Sequence, residues 1–504
     1  MRRGVYLEIV KLTDNFEENV FLLNKHLLGS KNKDLIMEHI HIHTLDKDAI
    51  LFYLRGMVDE QLIFERIIPT FNKKSTHKID SSDYLSRLKE ISPAPIKKTV
   101  HTFHDIERKL TEGNTLLLIE GNNEIFPIET KSIESRKVNI AEVETVLKGP
   151  KEAFVESELI NTSLIRKQLR TSQLVKEHVE VGTTQENIVS LLYLNGVANE
   201  ELVGKVRRRI EQIQVENIQN LSMLEQHIEE RPYSLVPTIL TTERPDRAAA
   251  FLKEGHVVLL MNSSPDCLVM PVTFWSFFHT AEDYYQRWAY GNLMRIVRLI
   301  AFFAALLAPA AFIAVTNYHV EALPTDMLLT VSATRDLVPF PAIFEIILVE
   351  ITFDIIREAG TRFPSKNGPV VALIGALIIS IAAIEAGIIS PIVIAVVGFS
   401  SLASYTIATN SFIFAVRIAR FGFIALGSFM GFFGIAIGIQ ACVAYLASLK
   451  SFDVPFVSPM APHYPSSKDM IVRPPLWKMW LRPLHVYPGR EIRGKKPEGG
   501  GVND

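Results

Sequence analysis

Leu299-Ile-Ala-Phe-Phe-Ala-Ala-Leu-Leu-Ala-Pro-Ala-Ala-Phe-Ile-Ala-Val-Thr-Asn-Tyr-His-Val320 is a run of 22 residues without an acid, a lysine or an arginine. A helix rises 1.5 Å per residue, so about 20 apolar residues cross the hydrocarbon core, and this run reads as a membrane span. Asn367–Ile384, Ala386–Val416 and Phe421–Leu449 are also free of these residues over 18, 31 and 29 positions, which predicts four strong spans. Outside them the chain changes character. Charged residues number 78 in positions 1–293, 16 in 294–449 and 14 in 450–504 of the 504-residue sequence. The overall values of 48% hydrophobic and 21% charged therefore average unlike parts.

A net charge of −2 without a basic excess argues against nucleic acid as a partner. Two cysteines, Cys267 and Cys442, exclude a disulfide scaffold or a cysteine metal cluster. Charges at Glu8, Lys11, Asp14, Glu17 and Glu18 interrupt any apolar run after Met1, so no signal-peptide core is read there. Arg287, Arg295 and Arg298 precede the first span and place that end, with the N-terminal half, on the cytosolic side. From Lys450 the tail carries nine basic residues against five acidic ones and nine prolines. It is expected to be cytosolic, extended and partly disordered.

Phe340–Glu358 is the exceptional segment of the apolar half. It is apolar on much of its surface yet carries Glu345, Glu350, Asp354, Arg357 and Glu358, the last four spaced i, i+4, i+7 and i+8 on one helical face. A charge at the bilayer centre costs about 2.5–3.5 kcal/mol on insertion scales. Such a face is therefore an interfacial amphipathic helix, the wall of a wet pore, or a set of ion pairs inside a bundle. With both ends cytosolic the number of crossings is even, which favours four spans and a surface or re-entrant segment at 340–358. Glu385 is a second isolated acid, at the junction before Ala386-Gly-Ile-Ile-Ser-Pro391. Glu350, Asp354, Glu385 and Ser390 are the pore or gating candidates. In the last span Gly427, Gly431, Gly434 and Gly438 form successive Gly-x-x-x-Gly units. Small residues at this spacing mark close helix contact, within one chain or between copies, and are the assembly candidates.

The charged half reads as a duplicated α/β unit, in subdomains 1–145 and 146–277. Glu107-Arg-Lys-Leu-Thr-Glu-Gly-Asn-Thr-Leu-Leu-Leu-Ile119 and Ala249-Ala-Phe-Leu-Lys-Glu-Gly-His-Val-Val-Leu-Leu-Met261 each give a helix end, a glycine stop and an apolar strand. Gly113 and Gly255 fit the residue after a helix, where positive φ is cheap for glycine. Second strands follow at Glu124–Ile128 and Cys267–Val272, as in hairpins. Ser157–Leu169 and Val203–Leu221 read as amphipathic helices, with Arg166 and Arg207–Arg209 on the watery faces. His39-Ile-His-Ile-His43 places three imidazoles on one strand face, but no cysteine or carboxylate is arranged to complete a zinc site. No phosphate loop, dinucleotide fingerprint or serine elbow occurs, so no enzyme, cofactor or metal is expected.

Four ordered blocks carry a resemblance: Gly149-Pro-Lys-Glu-Ala-Phe-Val-Glu156, Pro237-Thr-Ile-Leu-Thr-Thr-Glu-Arg-Pro-Asp-Arg247, Ala281-Glu-Asp-Tyr-Tyr-Gln-Arg-Trp288 and Ser332-Ala-Thr-Arg-Asp-Leu-Val-Pro-Phe-Pro-Ala-Ile-Phe-Glu345. Together they resemble the GerA spore-germination family over about positions 145–470. The A subunits of nutrient germinant receptors are nearest in pattern, and Tyr284-Tyr-Gln-Arg-Trp288 separates them from the related sporulation-operon paralogue. The resemblance implies a multi-pass protein of the endospore inner membrane, beside a transporter-like B subunit and a lipoprotein C subunit. It also implies a homo-oligomer, pentameric in the family, that conducts monovalent cations when nutrients are sensed. A non-conducting scaffold and a solute transporter are the other function classes compatible with the residues.

Overall fold

The structure, a computed structural model, describes residues 12–13, 15–73, 84–131, 141, 144–184, 187–336, 338–362, 368–464 and 469–494. The chain divides into two compact units, residues 1–230 with 239–271 and 477–504, and residues 231–238 with 272–476.

The first unit is built twice from one plan. α1 (Phe16–His26), β1 (Leu35–Ile42), β2 (Lys47–Leu54), α2 (Glu60–Leu62), α3 (Ile68–Phe71), α4 (Tyr84–Ile91), α5 (Phe103–Thr111), β3 (Asn114–Ile119) and β4 (Ile125–Glu129) make the first copy. Its strands form an antiparallel sheet in the order β1-β2-β3-β4. α6 (Glu158–Leu169), β5 (Leu174–Val181), β6 (Asn187–Leu194), α7 (Glu200–Glu211), α8 (Leu221–Ile228), β7 (Leu240–Thr242), α9 (Pro245–Glu254), β8 (Val257–Met261) and β9 (Cys267–Met270) make the second, in the order β5-β6-β8-β9-β7. Register is shared: Phe52 pairs with Leu116 as Leu192 pairs with Val258.

The duplication reaches single hydrogen bonds. Gly113 (φ +87°) and Gly255 (φ +101°) follow α5 and α9 as expected. Two further correspondences went unread in the sequence. Tyr53-Leu-Arg-Gly-Met-Val-Asp-Glu60 and Tyr193-Leu-Asn-Gly-Val-Ala-Asn-Glu200 close the second strand of each copy, with Gly56 and Gly196 both at positive φ. Asn19 clasps the backbone of Thr13, and Asn161 clasps that of Val155 six residues back, each with one N–H donated at 2.6 Å and one accepted at 2.8 Å.

The copies meet through a buried charge network. Asp34, 1% exposed, pairs with Arg166 at 2.7 Å and Lys176 at 3.0 Å, and Lys176 also reaches Glu158 at 3.0 Å. Arg166 therefore leaves the watery face expected for it, because an acid in the other copy compensates its burial. Arg207 and Arg209 are likewise paired, with Glu177 and Glu230. Burial acts most strongly on Asp34 and would raise its pKa, but Arg166 and Lys176 together hold it below the ordinary 3.8. A carboxyl depressed on folding stabilises above its unfolded value and loses that contribution as pH falls through the folded one. Acid unfolding should thus steepen below about pH 4. Asp34→Asn should flatten that limb and cost about 2–3 kcal/mol at neutral pH, read by urea unfolding of the full chain.

The C-terminal segment departs from the extended tail expected for it. Arg482 Nε donates to the Lys253 carbonyl at 2.8 Å, Gly489 N–H donates to that of Val197 at 2.9 Å, and His485 and Val486 are buried. Prolines here fix φ along a docked strap instead of solvating it. The terminal glycines at 499–501 lie outside the described residues.

The second unit is helical: α10 (Glu282–Tyr285), α11 (Trp288–Tyr318), α12 (Thr325–Arg335), α13 (Ala342–Arg362), α14 (Gly368–Glu385), α15 (Pro391–Ser404) and α16 (Asn410–Ser448), then a small ribbon of β10 (Lys450–Ser451) and β11 (Val454–Pro455). α11 and α16 are long and apolar enough to cross a membrane by length and composition, and α14 and α15 are shorter apolar helices. The expected spans are redrawn. Ala386–Val416 breaks between α15 and α16, with Pro391 starting α15 where its missing N–H costs nothing. Phe421–Leu449 breaks at Gly431, whose φ of +61° and ψ of −141° interrupt α16. A Cβ on Gly434 would lie 2.1 Å from the Leu426 carbonyl oxygen, and one on Gly438 would lie 2.7 Å from the Phe423 ring. In a continuous helix Gly434 and Leu426 would be about 12 Å apart, so the arms 410–430 and 432–448 fold back on each other. Phe412 and Phe456, near the two open ends, both pack on Phe274.

Candidate functional site

α13 carries the charged face read from the sequence, and it is a regular 21-residue helix. Pro341 starts it, its carbonyl accepting from Phe344 N–H at 2.9 Å. Ile346 and Val349 pack with Val393, Val397, Ile313 and Ile424 in one apolar cluster. This packing holds Glu345 and Glu350 of α13 against α15 and α16.

Glu350 is 1% exposed and accepts from Arg420 Nη1 at 2.6 Å, with Arg420 itself 2% exposed. The second Glu350 oxygen accepts from Ser400 Oγ at 3.4 Å. Of the three readings open for this face, ion pairing inside a bundle describes Glu350. One helical turn on, Asp354 is about a third exposed, 3.6 Å from Arg357 Nη1 and 3.9 Å from Arg417 Nη1. The Arg357 guanidinium lies 4.6 Å over the Tyr405 ring. Glu358 is exposed and pairs with Arg362 at 2.7 Å. The face therefore grades from buried to open along the helix.

Ser390 is fully buried, and its N–H donates to Glu345 at 2.9 Å. Glu345 thus holds the N-terminus of α15, where a carboxylate also meets the positive end of the helix dipole. This role was not legible, since Glu345 lies 45 positions from its partner. Glu385 stands apart, exposed at the last residue of α14 and without an ion pair to any described residue. Of the four pore candidates, Glu350 and Asp354 share one cluster, Ser390 belongs to the Glu345 contact, and Glu385 is separate.

The four glycines make intrachain contacts. Gly427 lies against Ala310 of α11, Gly431 sits at the reversal beside Tyr318 and His319, and Gly434 and Gly438 join the two arms of α16. Tyr318 Oη donates to the Ser428 carbonyl at 2.6 Å and secures the reversal.

The quoted sequence blocks have structural reasons. Arg244, buried, donates to Asp246 at 2.7 Å and to the Pro150 carbonyl at 2.9 Å, and Phe154 N–H donates to the Glu243 carbonyl at 2.8 Å. The blocks at 149–156 and 237–247 are thus two halves of one clasp. At the start of α11, Asp283 binds Arg298 at 2.7 Å and Arg295 at 3.2 Å, while Asp469 binds Arg295 and Tyr284. His279 Nε2 donates to the Met470 carbonyl at 2.6 Å, and burial pushes its imidazole down to about 4, so it is neutral at pH 7. His39, His41 and His43 do not assemble a metal site; no group of three metal-ligating side chains occurs among the described residues.

The sequence model of a family described as Bacillus/Clostridium GerA spore germination protein matches residues 23–485. Spore germination protein KA of Bacillus subtilis (strain 168) is 32% identical over 97% of this chain and 90% of its own length. The uncharacterized membrane protein YfkQ of the same organism is 32% identical over 97% of this chain and 94% of its own. Among solved structures, the crystal structure of the N-terminal domain of the A subunit of the Bacillus megaterium spore germinant receptor GerK3 aligns with 53% of this chain and 98% of that chain, at 25% identity and a TM-score of 0.42.

Proposed function

The chain belongs to the Bacillus/Clostridium GerA spore germination protein family, and on that premise we propose that it is the A subunit of a nutrient germinant receptor, a homo-oligomeric channel for monovalent cations. It would sit in the endospore inner membrane with its first unit on the cytosolic side. A transporter-like B subunit and a lipoprotein C subunit are its partners. Nutrient binding in the complex opens the channel only if the ligand binds the open state more tightly than the closed one.

Helix geometry supports a multi-pass arrangement. α11 is about 46 Å long and each arm of α16 is about 25–31 Å, against a hydrocarbon core of about 30 Å. Counting α13 as a full pass, with Glu350 paired to Arg420 and Glu345 held at the N-terminus of α15, gives six with α11, α14, α15 and the two arms of α16. Six is even, as both ends on one side require, and it replaces the re-entrant segment expected from the sequence.

Glu385 carries the channel reading. A lone acid at the end of an apolar helix that packs on α13 must meet water, and copies related by rotation would bring several such acids into a ring. Rings of carboxylates concentrate cations at a pore mouth. A cation passing about 4 Å from one carboxylate gains about 1 kcal/mol even at the dielectric of water, so Glu385→Gln should slow nutrient-triggered K⁺ release about fivefold. Asp354→Asn tests the other open acid. Unchanged release in both variants would remove the acidic path and favour a scaffold that clusters receptors without conducting.

A further inference from the structure

Where α13 meets α16 the charges do not balance locally, Glu345, the other buried acid of α13, lying apart against the N-terminus of α15. Glu350 and Asp354 face Arg357, Arg417 and Arg420, while Glu358 and Arg362 pair with each other. One positive charge is left over. The unmet hydrogen bonds point the same way: Nε and Nη1 of Arg357, Nε of Arg417, and Nε and Nη2 of Arg420 are buried and bonded to no acceptor among the described residues. Arginine cannot shed its proton to relieve this, and a buried donor without a partner is costly. Asp354 stands too far from Arg357 and Arg417, at 3.6 and 3.9 Å, to use their N–H groups.

We propose that this cluster is a binding site for a phosphate group, held between Arg357, Arg417 and Arg420. Arg357 and Arg417 meet at Asp354, and Arg420 lies at Glu350 one helical turn away; planar guanidinium forks grouped in this way suit a tetrahedral oxyanion with many acceptor oxygens. Access is from the side where Asp354 is a third exposed and where Tyr405 is more than half exposed under the Arg357 guanidinium. A half-exposed tyrosine beside basic groups at the end of apolar helices is the setting of a lipid headgroup, and basic pockets between membrane helices take acidic headgroups. The phosphate therefore comes from an acidic phospholipid or from solution. The lipid source rests on the membrane placement proposed above; the phosphate chemistry does not.

The test measures thermal unfolding of the full chain in two settings. In detergent, inorganic phosphate is compared with chloride at equal ionic strength. In neutral phosphatidylcholine nanodiscs, phosphatidylglycerol is present or absent. Occupancy of the site should raise the midpoint by about 4–8 °C. Arg417→Gln and, separately, Arg357→Gln should abolish the rise, and Arg417→Lys should keep part of it. A rise with phosphatidylglycerol alone identifies a headgroup site, and a rise with phosphate in detergent identifies the free ion. Failure to recover the chain in nanodiscs would count against the membrane placement and leave the phosphate arm readable. No rise in either setting, or a full rise in both glutamine variants, overturns the proposal.

Discussion

Arg420→Met should be the most damaging substitution in the helical unit, because it leaves the Glu350 carboxylate 1% exposed without the guanidinium now 2.6 Å away. Removing one partner of a buried pair typically costs about 3–5 kcal/mol, since the remaining charge keeps its desolvation penalty and loses its compensation. Ser400 is a poor substitute, its hydroxyl being 3.4 Å from Glu350. The double variant Glu350→Leu with Arg420→Met should recover most of the loss, because replacing a whole buried pair by apolar groups is often neutral or stabilising by about 1–4 kcal/mol. Thermal unfolding of both variants in one detergent tests this. Equal midpoints for Arg420→Met and the unsubstituted chain would mean that the pair contributes nothing to the fold.

The second large effect is expected at the reversal of α16. A Cβ on Gly434 would come 2.1 Å from the Leu426 carbonyl oxygen. That neighbour is backbone of the opposing arm and cannot swing aside as a side chain can. Gly434→Ala should therefore force the arms apart, at or above the upper end of the roughly 1–3 kcal/mol typical of overpacking. Gly438→Ala should be milder, because its close neighbours are the Phe423 ring and a Leu426 methyl. Gly422 has nothing within 4 Å of the added carbon, so Gly422→Ala should be neutral or stabilising by about 0.5–1 kcal/mol. The predicted order of folded yield is Gly422→Ala above Gly438→Ala above Gly434→Ala. A Gly434→Ala chain as stable as the Gly422→Ala chain would contradict the folded-back geometry.

These residues show what could be read before the structure. The uneven distribution of charge separated the two kinds of sequence, and the glycine after a helix located Gly113 and Gly255, because both depend on local composition or backbone conformation. The face of Glu350 and Asp354 was also legible, since helical spacing alone defines it. Its partners were not. Arg420 lies 70 positions from Glu350, beyond the reach of any local pattern. Complementary spacing, acids at 350 and 354 against bases at 417 and 420, was the available signal.

The breaks inside the apolar runs were hidden for a different reason. Tyr405-Thr-Ile-Ala-Thr-Asn410 contains neither proline nor glycine, yet the chain turns there between α15 and α16. At Gly431 the chain reverses at a positive φ, which a small-residue spacing rule does not report. The strap at 477–494 was hidden by its prolines, which fit a docked extended segment as well as a solvated one.

Single-channel recording of the full chain in planar bilayers, alone and with its B and C partners, tests the central claim most directly. The account predicts cation-selective openings that depend on the partners and nutrient. Their conductance should fall in Glu385→Gln, and their selectivity should weaken or reverse in Glu385→Lys. Bilayers that stay silent with every partner present, or openings whose selectivity is untouched by Glu385→Lys, would contradict it.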